Sequence, residues 1–147
     1  MKRFCLSLTG NGADADDLLQ STVERVLERG LPDDAHLARW SFRVCKNLWI
    51  DEVRSREVRT RHAVSVVQAG ASAEAAPSAE ALSSAQIQLD AVYRSLRRLP
   101  EEQRLALTLV TVEGKSYAEA AEILEVPIGT IMSRIARARK QLLSEQQ

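Results

Sequence analysis

Apolar residues recur at helical spacing along most of the 147-residue chain, and no stretch alternates apolar with polar residues as a half-buried strand does. The pattern predicts helices over residues 1 to about 9, 14 to 28 and 36 to 61. Four more helices are predicted between residues 84 and 143. The sequence therefore predicts an all-α protein whose second unit has four helices.

The apolar faces of two helices mark the sides that we expect to be buried. In the second helix this face comprises Leu18, Leu19, Thr22, Val23, Val26 and Leu27. In the first helix of the second unit it comprises Ile87, Leu89, Val92, Leu96 and Leu99.

Residues 63–83 lose this periodicity. Ala, Ser, Glu and Gln dominate there, with Gly70 and Pro77 and no aromatic residue. Such a composition is typical of a flexible linker. The sequence thus predicts two small helical domains, residues 1–62 and 84–147, joined by this segment.

A short helix, a tight turn and a basic helix follow one another near the C-terminus. Ser116 and Glu119 have capping-box spacing, Pro127 marks the turn, and the short helix has a contact face of Ala118, Ala121 and Leu124. The basic helix has an apolar stripe of Ile131, Ile135, Ala138 and Leu142. Its opposite face carries Gly129, Thr130, Ser133, Ala136, Arg137 and Lys140. This layout is typical of a DNA-binding helix-turn-helix, although an ordinary helical hairpin with a basic solvent face would share it.

The third helix is strongly basic and carries Trp40, Phe42 and Trp49, which point in different directions on a helical wheel. A single core-facing stripe cannot hold all three. Either the helix is buried on several sides, or at least one aromatic ring stacks on an unpaired nucleic-acid base.

Charge balance limits how the chain could bind DNA. The formal net charge is zero, from 20 basic and 20 acidic residues, whereas phosphate neutralisation supplies most non-specific affinity for DNA. We therefore expect a partner to supply or position part of the binding. Cys5 and Cys45 are too few and too far apart in sequence for a zinc site or a disulfide framework, so we interpret them as buried thiols.

Several classes of protein are disfavoured. No apolar run approaches the about 20 residues that span a bilayer, and no signal peptide is evident, so we expect a cytoplasmic protein without membrane insertion. No paired-carboxylate, Ser-His-Asp, Cys-His or Gly-rich phosphate pattern is present, and neither His36 nor His62 has a catalytic partner. We expect no enzyme activity, no cofactor, no metal and no small-molecule substrate.

Five segments carry a family resemblance through their order and spacing. In the first unit these are residues 14–20 and 40–47, and in the second they are residues 99–104, 113–121 and 129–134. The chain resembles bacterial RNA polymerase sigma factors of the extracytoplasmic-function (ECF) group of the sigma-70 family. The resemblance implies a promoter-specificity subunit of RNA polymerase. It also implies a stress or envelope response and control by an anti-sigma factor.

The resemblance further implies three sets of site residues. Those that would dock on core RNA polymerase are Asp16, Asp17, Leu18 and Gln20. Those that would hold the melted minus-ten promoter DNA are Trp40, Arg43, Lys46, Asn47, Arg54 and Arg56. Asn47 matches the position that hydrogen-bonds a flipped base, because an amide presents both a donor and an acceptor. Those that would read the upstream promoter element are Thr130, Met132, Ser133, Arg134, Arg137 and Lys140.

The chain departs from the family pattern at three points. The first helix is shorter than is usual, so we expect a truncated or late-starting N-terminus. Met132 stands where many members carry Lys or Arg, and it cannot make a bidentate contact with guanine. Pro127 replaces the Ser that often caps the recognition helix.

Two other functions compete with the sigma-factor hypothesis. A free-standing helix-turn-helix regulator that dimerises on a palindrome would explain residues 84–143 but leave the basic, aromatic third helix idle. A purely protein-binding helical adaptor would make the basic recognition face accidental. The sigma factor would bind promoter DNA only with core polymerase, the regulator would bind duplex DNA alone, and the adaptor would bind under neither condition.

Overall fold

The computed structural model describes residues 1–32, 36–63 and 83–145, and every regular element in these ranges is an α-helix. The seven helices are α1 (Lys2–Thr9), α2 (Gly12–Arg29), α3 (Leu37–Ala63), α4 (Ser84–Arg97), α5 (Glu101–Thr111), α6 (Tyr117–Leu124) and α7 (Ile128–Glu145). The all-α prediction is confirmed, and so is the second unit of four helices. Most of the predicted linker, residues 64–82, lies outside the described residues.

Local capping fixes where several of these helices begin. The Ser116 side chain accepts a hydrogen bond from the backbone N–H of Glu119, whose carboxylate accepts one from the Ser116 N–H, so the predicted capping box is present. Ser83 and Gln86 form a second box at the start of α4. The Asn11 side chain caps α2 by accepting a 2.8 Å hydrogen bond from the Asp14 N–H. The sequence predicted that this helix begins at residue 14, two residues later than it does.

The turn between α6 and α7 depends on one left-handed residue. Glu125 has φ of 58°, the only positive φ of a non-glycine residue among those described. It closes α6, and the Val126 N–H donates to the Ala121 carbonyl at 3.1 Å. Pro127 then accepts from Thr130 at 3.0 Å as α7 begins. A turn this short holds α6 and α7 at a defined angle, as a helix-turn-helix requires.

The apolar core is continuous across both groups of helices, α1–α3 and α4–α7. Phe4 of α1 packs edge-on against Phe42 of α3, with ring centroids 5.2 Å apart. Phe4 belongs to the same buried cluster as Leu109 of α5, Ile123 of α6 and Ile131 of α7. α1 is central to this arrangement because it packs on α2, α4 and α5.

Three of the predicted apolar faces differ from the faces that are buried. In α2 the buried positions are Ala15, Leu18 and Thr22, whereas Val23 and Leu27 are 48% and 77% exposed. At 100° per residue these two residues lie roughly 80° and 120° from Ala15, at the edge of the packed stripe. In α4 only the last turns reach the core, so the residues that remain about half exposed are Ile87, Leu89 and Val92. In α6 the contact face is formed by Ala120, Ala121, Ile123 and Leu124, and Ala118 is exposed.

Two findings concern the described residues only, 1–32, 36–63 and 83–145. None of their helices is both long enough and apolar enough to cross a membrane. Within the same residues, no group of three or more His, Cys, Asp or Glu side chains is placed to hold a metal ion.

Candidate nucleic-acid interfaces

The outer face of α7 is open to solvent along its length. Ile131, Ile135 and Ala138 are buried at 0%, 1% and 0% exposure, as the predicted stripe requires. Of the six predicted upstream-element residues, Thr130 and Arg134 are half-buried, and the other four are exposed: Met132, Ser133, Arg137 and Lys140. Helix α7 therefore presents a cationic, sterically accessible surface with small side chains at its N-terminal end.

A groove of about 370 Å³ runs between this face and the start of α5. Its lining includes Pro100, Gln103, Ser133 and Arg137. Arg134 also borders the groove, where its guanidinium lies 3.7 Å from the carboxylate of the exposed Glu102. The groove widens the accessible surface on one side of α7, where a phosphate backbone could approach.

The basic face of α3, by contrast, is covered by an acidic face of α6. Arg39, Arg43 and Lys46 lie one turn apart on α3, and they meet three carboxylates from Glu119, Glu122 and Glu125. We call these six residues the α3–α6 charge cluster. It contains two of the six residues that the resemblance assigns to minus-ten DNA, Arg43 and Lys46.

Distances within the charge cluster range from hydrogen bonds to looser ion pairs. Arg39 Nη1 lies 2.7 Å from Glu122 Oε2, and Arg39 Nε lies 3.9 Å from Glu119 Oε2. Arg43 Nη2 donates to the Glu122 backbone carbonyl at 2.6 Å, and its Nη1 lies 3.8 Å from Glu125 Oε1. The ammonium of Lys46, whose side chain is only 8% exposed, lies 3.7 Å from Glu125 Oε2.

A second contact ties α3 to α5 through Glu101. The Trp49 indole N–H donates to Glu101 Oε2 at 2.7 Å, and Glu101 Oε1 pairs with the guanidinium of the buried Arg104. Burial, aided by the nearby charge of Arg97, lowers the pKa of Arg104 to about 10. Arg104 therefore remains charged at neutral pH, and Glu101 is the carboxylate that compensates it.

The three aromatic residues of α3 have different environments, so the helix is indeed buried on more than one side. Phe42 is 5% exposed and has the Lys115 ammonium 5.2 Å from its ring centroid. Trp49 is 4% exposed and is flanked by the Arg56 guanidinium at 5.6 Å. Only Trp40 is half-buried, which leaves part of its ring accessible. Arg43 lies 5.9 Å from the Trp40 centroid.

The remaining predicted minus-ten residues lie on the more open part of α3. Asn47 and Arg54 are exposed. Arg56 pairs with Glu52 at 3.0 Å and lies 3.9 Å from Asp14. The structure thus brings Trp40, Arg43, Lys46 and Asn47 together on two adjacent turns and sets Arg54 and Arg56 further along.

The predicted polymerase-docking residues are divided between surface and core. Asp16, Asp17 and Gln20 are exposed on α2. Leu18 is only 9% exposed and belongs to the core cluster, so its side chain is not part of that surface. The apolar part of the surface instead comes from the exposed Val23 and Leu27, which the helical pattern had assigned to the interior.

Cys5 and Cys45 are both buried, as expected, but they lie against each other. Their sulfur atoms are 3.7 Å apart, which is a contact between two free thiols that joins α1 to α3. The contact with Cys45 and burial together raise the pKa of Cys5. Because the two cysteines are 40 positions apart, the sequence gave no indication of this contact.

Sequence reasoning missed Arg39, Glu122 and Glu125 as functional candidates. A signal was available, because the α3 cations recur at intervals of four and three residues and the α6 carboxylates at intervals of three. Each series lies on one face of its helix, and the two faces carry opposite charge.

Comparison with known proteins assigns both helical groups to one class. Residues 1–59 match the family described as sigma-70 region 2, and residues 89–142 match sigma-70 region 4. These are two regions of the sigma-70 factors, and they correspond to the helical groups α1–α3 and α4–α7.

Individual relatives show which group of sigma-70 factors the chain resembles. The ECF RNA polymerase sigma factor EcfG of Rhodopseudomonas palustris is 34% identical over 144 residues, which are 97% of this chain and 76% of EcfG. SigE of Mycolicibacterium smegmatis, also an ECF sigma factor, is 34% identical over 142 residues, which are 95% of this chain and 54% of SigE. This chain belongs to the ECF sigma factors of the sigma-70 family.

A solved structure agrees with this assignment. The sigma factor RpoE of Bartonella quintana, crystallised in complex with the anti-sigma factor NepR, matches with a TM-score of 0.74 and 27% identity. The match covers 97% of this chain and 87% of that one.

Proposed function

We propose that this chain is a dissociable sigma subunit that directs core RNA polymerase to promoters and helps to open them. It has no catalytic chemistry of its own and works in the cytoplasm, where the polymerase is. Residues 1–62 form the domain that binds polymerase and minus-ten DNA, residues 63–83 are the linker, and residues 84–147 read the upstream element. Membership of the ECF family supports this division.

The outer face of α7 is the proposed duplex-reading surface. The small side chains of Thr130 and Ser133 let the helix backbone approach the floor of the major groove, and Arg137 can reach guanine O6 and N7. Arg134 and Lys140 are assigned to phosphates and groove edges. Met132, being 54% exposed, offers apolar contact to a thymine methyl group rather than a hydrogen bond.

The face of α3 around Trp40 and Asn47 is the proposed surface for the melted strand. Arg43, Lys46, Arg54 and Arg56 supply cations for phosphates, the accessible part of the Trp40 ring offers a stacking platform, and the Asn47 amide can pair with a base edge. This surface is the main support for a sigma factor over a free-standing helix-turn-helix regulator. A regulator that binds only duplex DNA needs no second cationic surface with an exposed amide.

The exposed surface of α2 is the proposed polymerase-docking site. Asp16, Asp17 and Gln20 supply directional polar groups, and Val23 and Leu27 supply apolar area. Val23 and Leu27 are 48% and 77% exposed and lie one turn apart, so together they form an apolar patch of the kind that protein interfaces use.

Control by an anti-sigma factor is part of the proposal. The similar RpoE of Bartonella quintana was crystallised with the anti-sigma factor NepR. By analogy we propose that a dedicated inhibitor sequesters this chain until a stress signal releases it.

The decisive test is promoter opening by core polymerase reconstituted with wild-type chain or Asn47→Ala. Because Asn47 is exposed and is assigned to base capture, the variant should bind polymerase normally but form open complexes about tenfold or more less efficiently, as expected when base readout worth about 1–3 kcal/mol is lost. Permanganate reactivity of promoter thymines measures the opening. Thr60→Ala, at an exposed position roughly 140° around α3 from Asn47, is the matched control.

A pre-melted bubble template that retains its minus-ten base should not fully rescue Asn47→Ala, since base capture itself is impaired. Wild-type opening by Asn47→Ala on duplex DNA would remove Asn47 from the site. Tight, specific duplex binding by the free chain would instead favour the helix-turn-helix regulator.

A further inference from the structure

We propose that the α3–α6 charge cluster is an autoinhibitory latch, in which carboxylates of α6 occupy the strand-binding face of α3 until promoter DNA displaces them. This inference rests on the proposed function of α3 as the surface for melted DNA. It adds that the free chain masks that surface with its own helix-turn-helix domain.

The positions of the carboxylates support the latch. Glu122 and Glu125 meet Arg39, Arg43 and Lys46, and two of these three cations belong to the proposed DNA surface. Carboxylate and phosphate oxygens compete for the same guanidinium and ammonium donors. A DNA strand therefore cannot use Arg43 and Lys46 fully while α6 remains in place.

The guanidinium groups are incompletely satisfied in the latched arrangement. Nε of Arg39 and Nε of Arg43 are buried, and neither has a hydrogen-bond partner in the described part of the chain. A guanidinium can donate five hydrogen bonds, and a phosphate presents several acceptor oxygens. Exchange of α6 for a phosphate backbone would therefore offer these donors better pairing than they have now.

The ion pairs that form the latch are also individually weak. Glu122 and Glu125 have side chains 57% and 58% exposed, and exposed ion pairs are individually weak and screened by salt. α7 is outside the cluster, and its DNA-facing side is exposed. The latch thus masks the strand-binding surface while leaving the upstream-element surface available.

The test compares the affinity of three full-length proteins for a fluorescein-labelled oligothymidylate, measured by anisotropy near physiological salt. The opened variant is Glu122→Gln/Glu125→Gln, which spares Glu119 because that residue also caps α6. The control is Glu24→Gln/Glu28→Gln, which removes the same two charges from exposed positions of α2. Circular dichroism verifies that all three proteins are equally helical.

The opened variant should bind about threefold to tenfold more tightly than wild type, because apparent affinity falls in proportion to the binding-competent fraction. The control should change by about twofold or less, since neither Glu24 nor Glu28 belongs to the charge cluster and exposed charges are screened at this salt concentration. Equal affinity for the opened variant and the control would overturn the latch.

Arg43→Ala separates failure of the latch from failure of the proposed function. Added to the opened variant, it should remove most of the gain in affinity if α3 is the surface released. If Arg43→Ala weakens binding equally in the wild-type and opened backgrounds and the opened variant shows no gain, α3 binds DNA without a latch. If the gain persists despite Arg43→Ala, the released surface is not α3, and the latch is contradicted.

Discussion

The outer face of α7 and the basic face of α3 are both cationic helical surfaces, yet one is open and the other is covered. Arg137 and Lys140 on α7 are exposed, whereas Lys46 on α3 is buried beneath Glu125. The difference arises from the neighbouring helix rather than from the basic residues themselves. A cluster of cations in a sequence therefore indicates that a surface can bind nucleic acid, but not that the surface is available.

The sequence of each helix explains why the two surfaces differ. α7 has no acidic residue from Gly129 to Leu143, so its own side chains do not neutralise its outer face. α6 places Glu119, Glu122 and Glu125 on the side that meets α3. The helix-turn-helix thus exposes a basic surface on α7 and directs an acidic surface of α6 at α3.

Of the substitutions that test the contrast between the covered α3 and the open α7, Glu101→Gln should have the largest effect, a loss of stability. The substitution leaves the charged, 4% exposed Arg104 without its carboxylate, and removal of one partner from a buried ion pair costs about 3–5 kcal/mol. It also weakens the hydrogen bond from Trp49 that holds α3 on α5. We expect a fall in the free energy of unfolding of about 3 kcal/mol, measured by urea denaturation.

Glu102→Gln is the matched control for that experiment. Glu102 neighbours Glu101, but its side chain is 75% exposed and its pairing with Arg134 is loose at 3.7 Å. Its loss should change stability by less than about 1 kcal/mol. Equal effects of the two substitutions would show that Glu101 does not compensate Arg104.

The open surface is tested next by Arg137→Ala. If Arg137 reads a base, the substitution should weaken binding of the polymerase holoenzyme to the upstream element by about 1–3 kcal/mol and relax specificity at one position. If it contacts only phosphate, the loss should be similar on all sequences and the salt dependence should fall by about one unit of slope. Footprint titrations at several salt concentrations distinguish the two results.

Arg139→Ala provides the comparison for Arg137→Ala. Arg139 is also exposed on α7, but it lies roughly 200° around the helix from Arg137. It should therefore weaken the footprint less than Arg137→Ala does. Equal losses from both variants would mean that the total charge of α7, rather than its outer face, determines binding.

Local features of the fold could be predicted from the sequence because their causes are local. The Ser116 capping box and the buried stripe through Ile131 and Ile135 depend on residues a few positions apart. Contacts between distant residues could not be predicted in this way. Arg39 and Glu122 are 83 positions apart, and only the packing of α3 on α6 brings them together.

In the candidate site, too, some features could be predicted from the sequence and others could not. Helical periodicity assigned Val23 and Leu27 to the interior, because a pattern records which residues are apolar but not how wide the packed stripe is. The resemblance supplied the identities of the proposed DNA-binding residues. It did not supply the carboxylates that cover two of them, because Glu122 and Glu125 carry no motif of their own.

The smallest effect should come from protonation of Glu119, which serves both the cap of α6 and the charge cluster. Hydrogen bonds from the backbone and side chain of Ser116 lower the pKa of the Glu119 carboxyl below its ordinary value of 4.5. A carboxyl whose pKa is lower in the folded state stabilises the fold above its unfolded pKa. This contribution is lost as pH falls through the folded pKa.

Glu119→Gln isolates this contribution, because Gln can still form a capping box but carries no charge. The wild type should be more stable than Glu119→Gln at pH 7, and the difference should shrink as the pH falls below about 4.5. Thermal unfolding of both proteins across this range measures it. Equal stability of the two proteins at every pH would mean that the ionised carboxylate contributes nothing, and that Glu119 stabilises α6 only through hydrogen bonds that Gln reproduces.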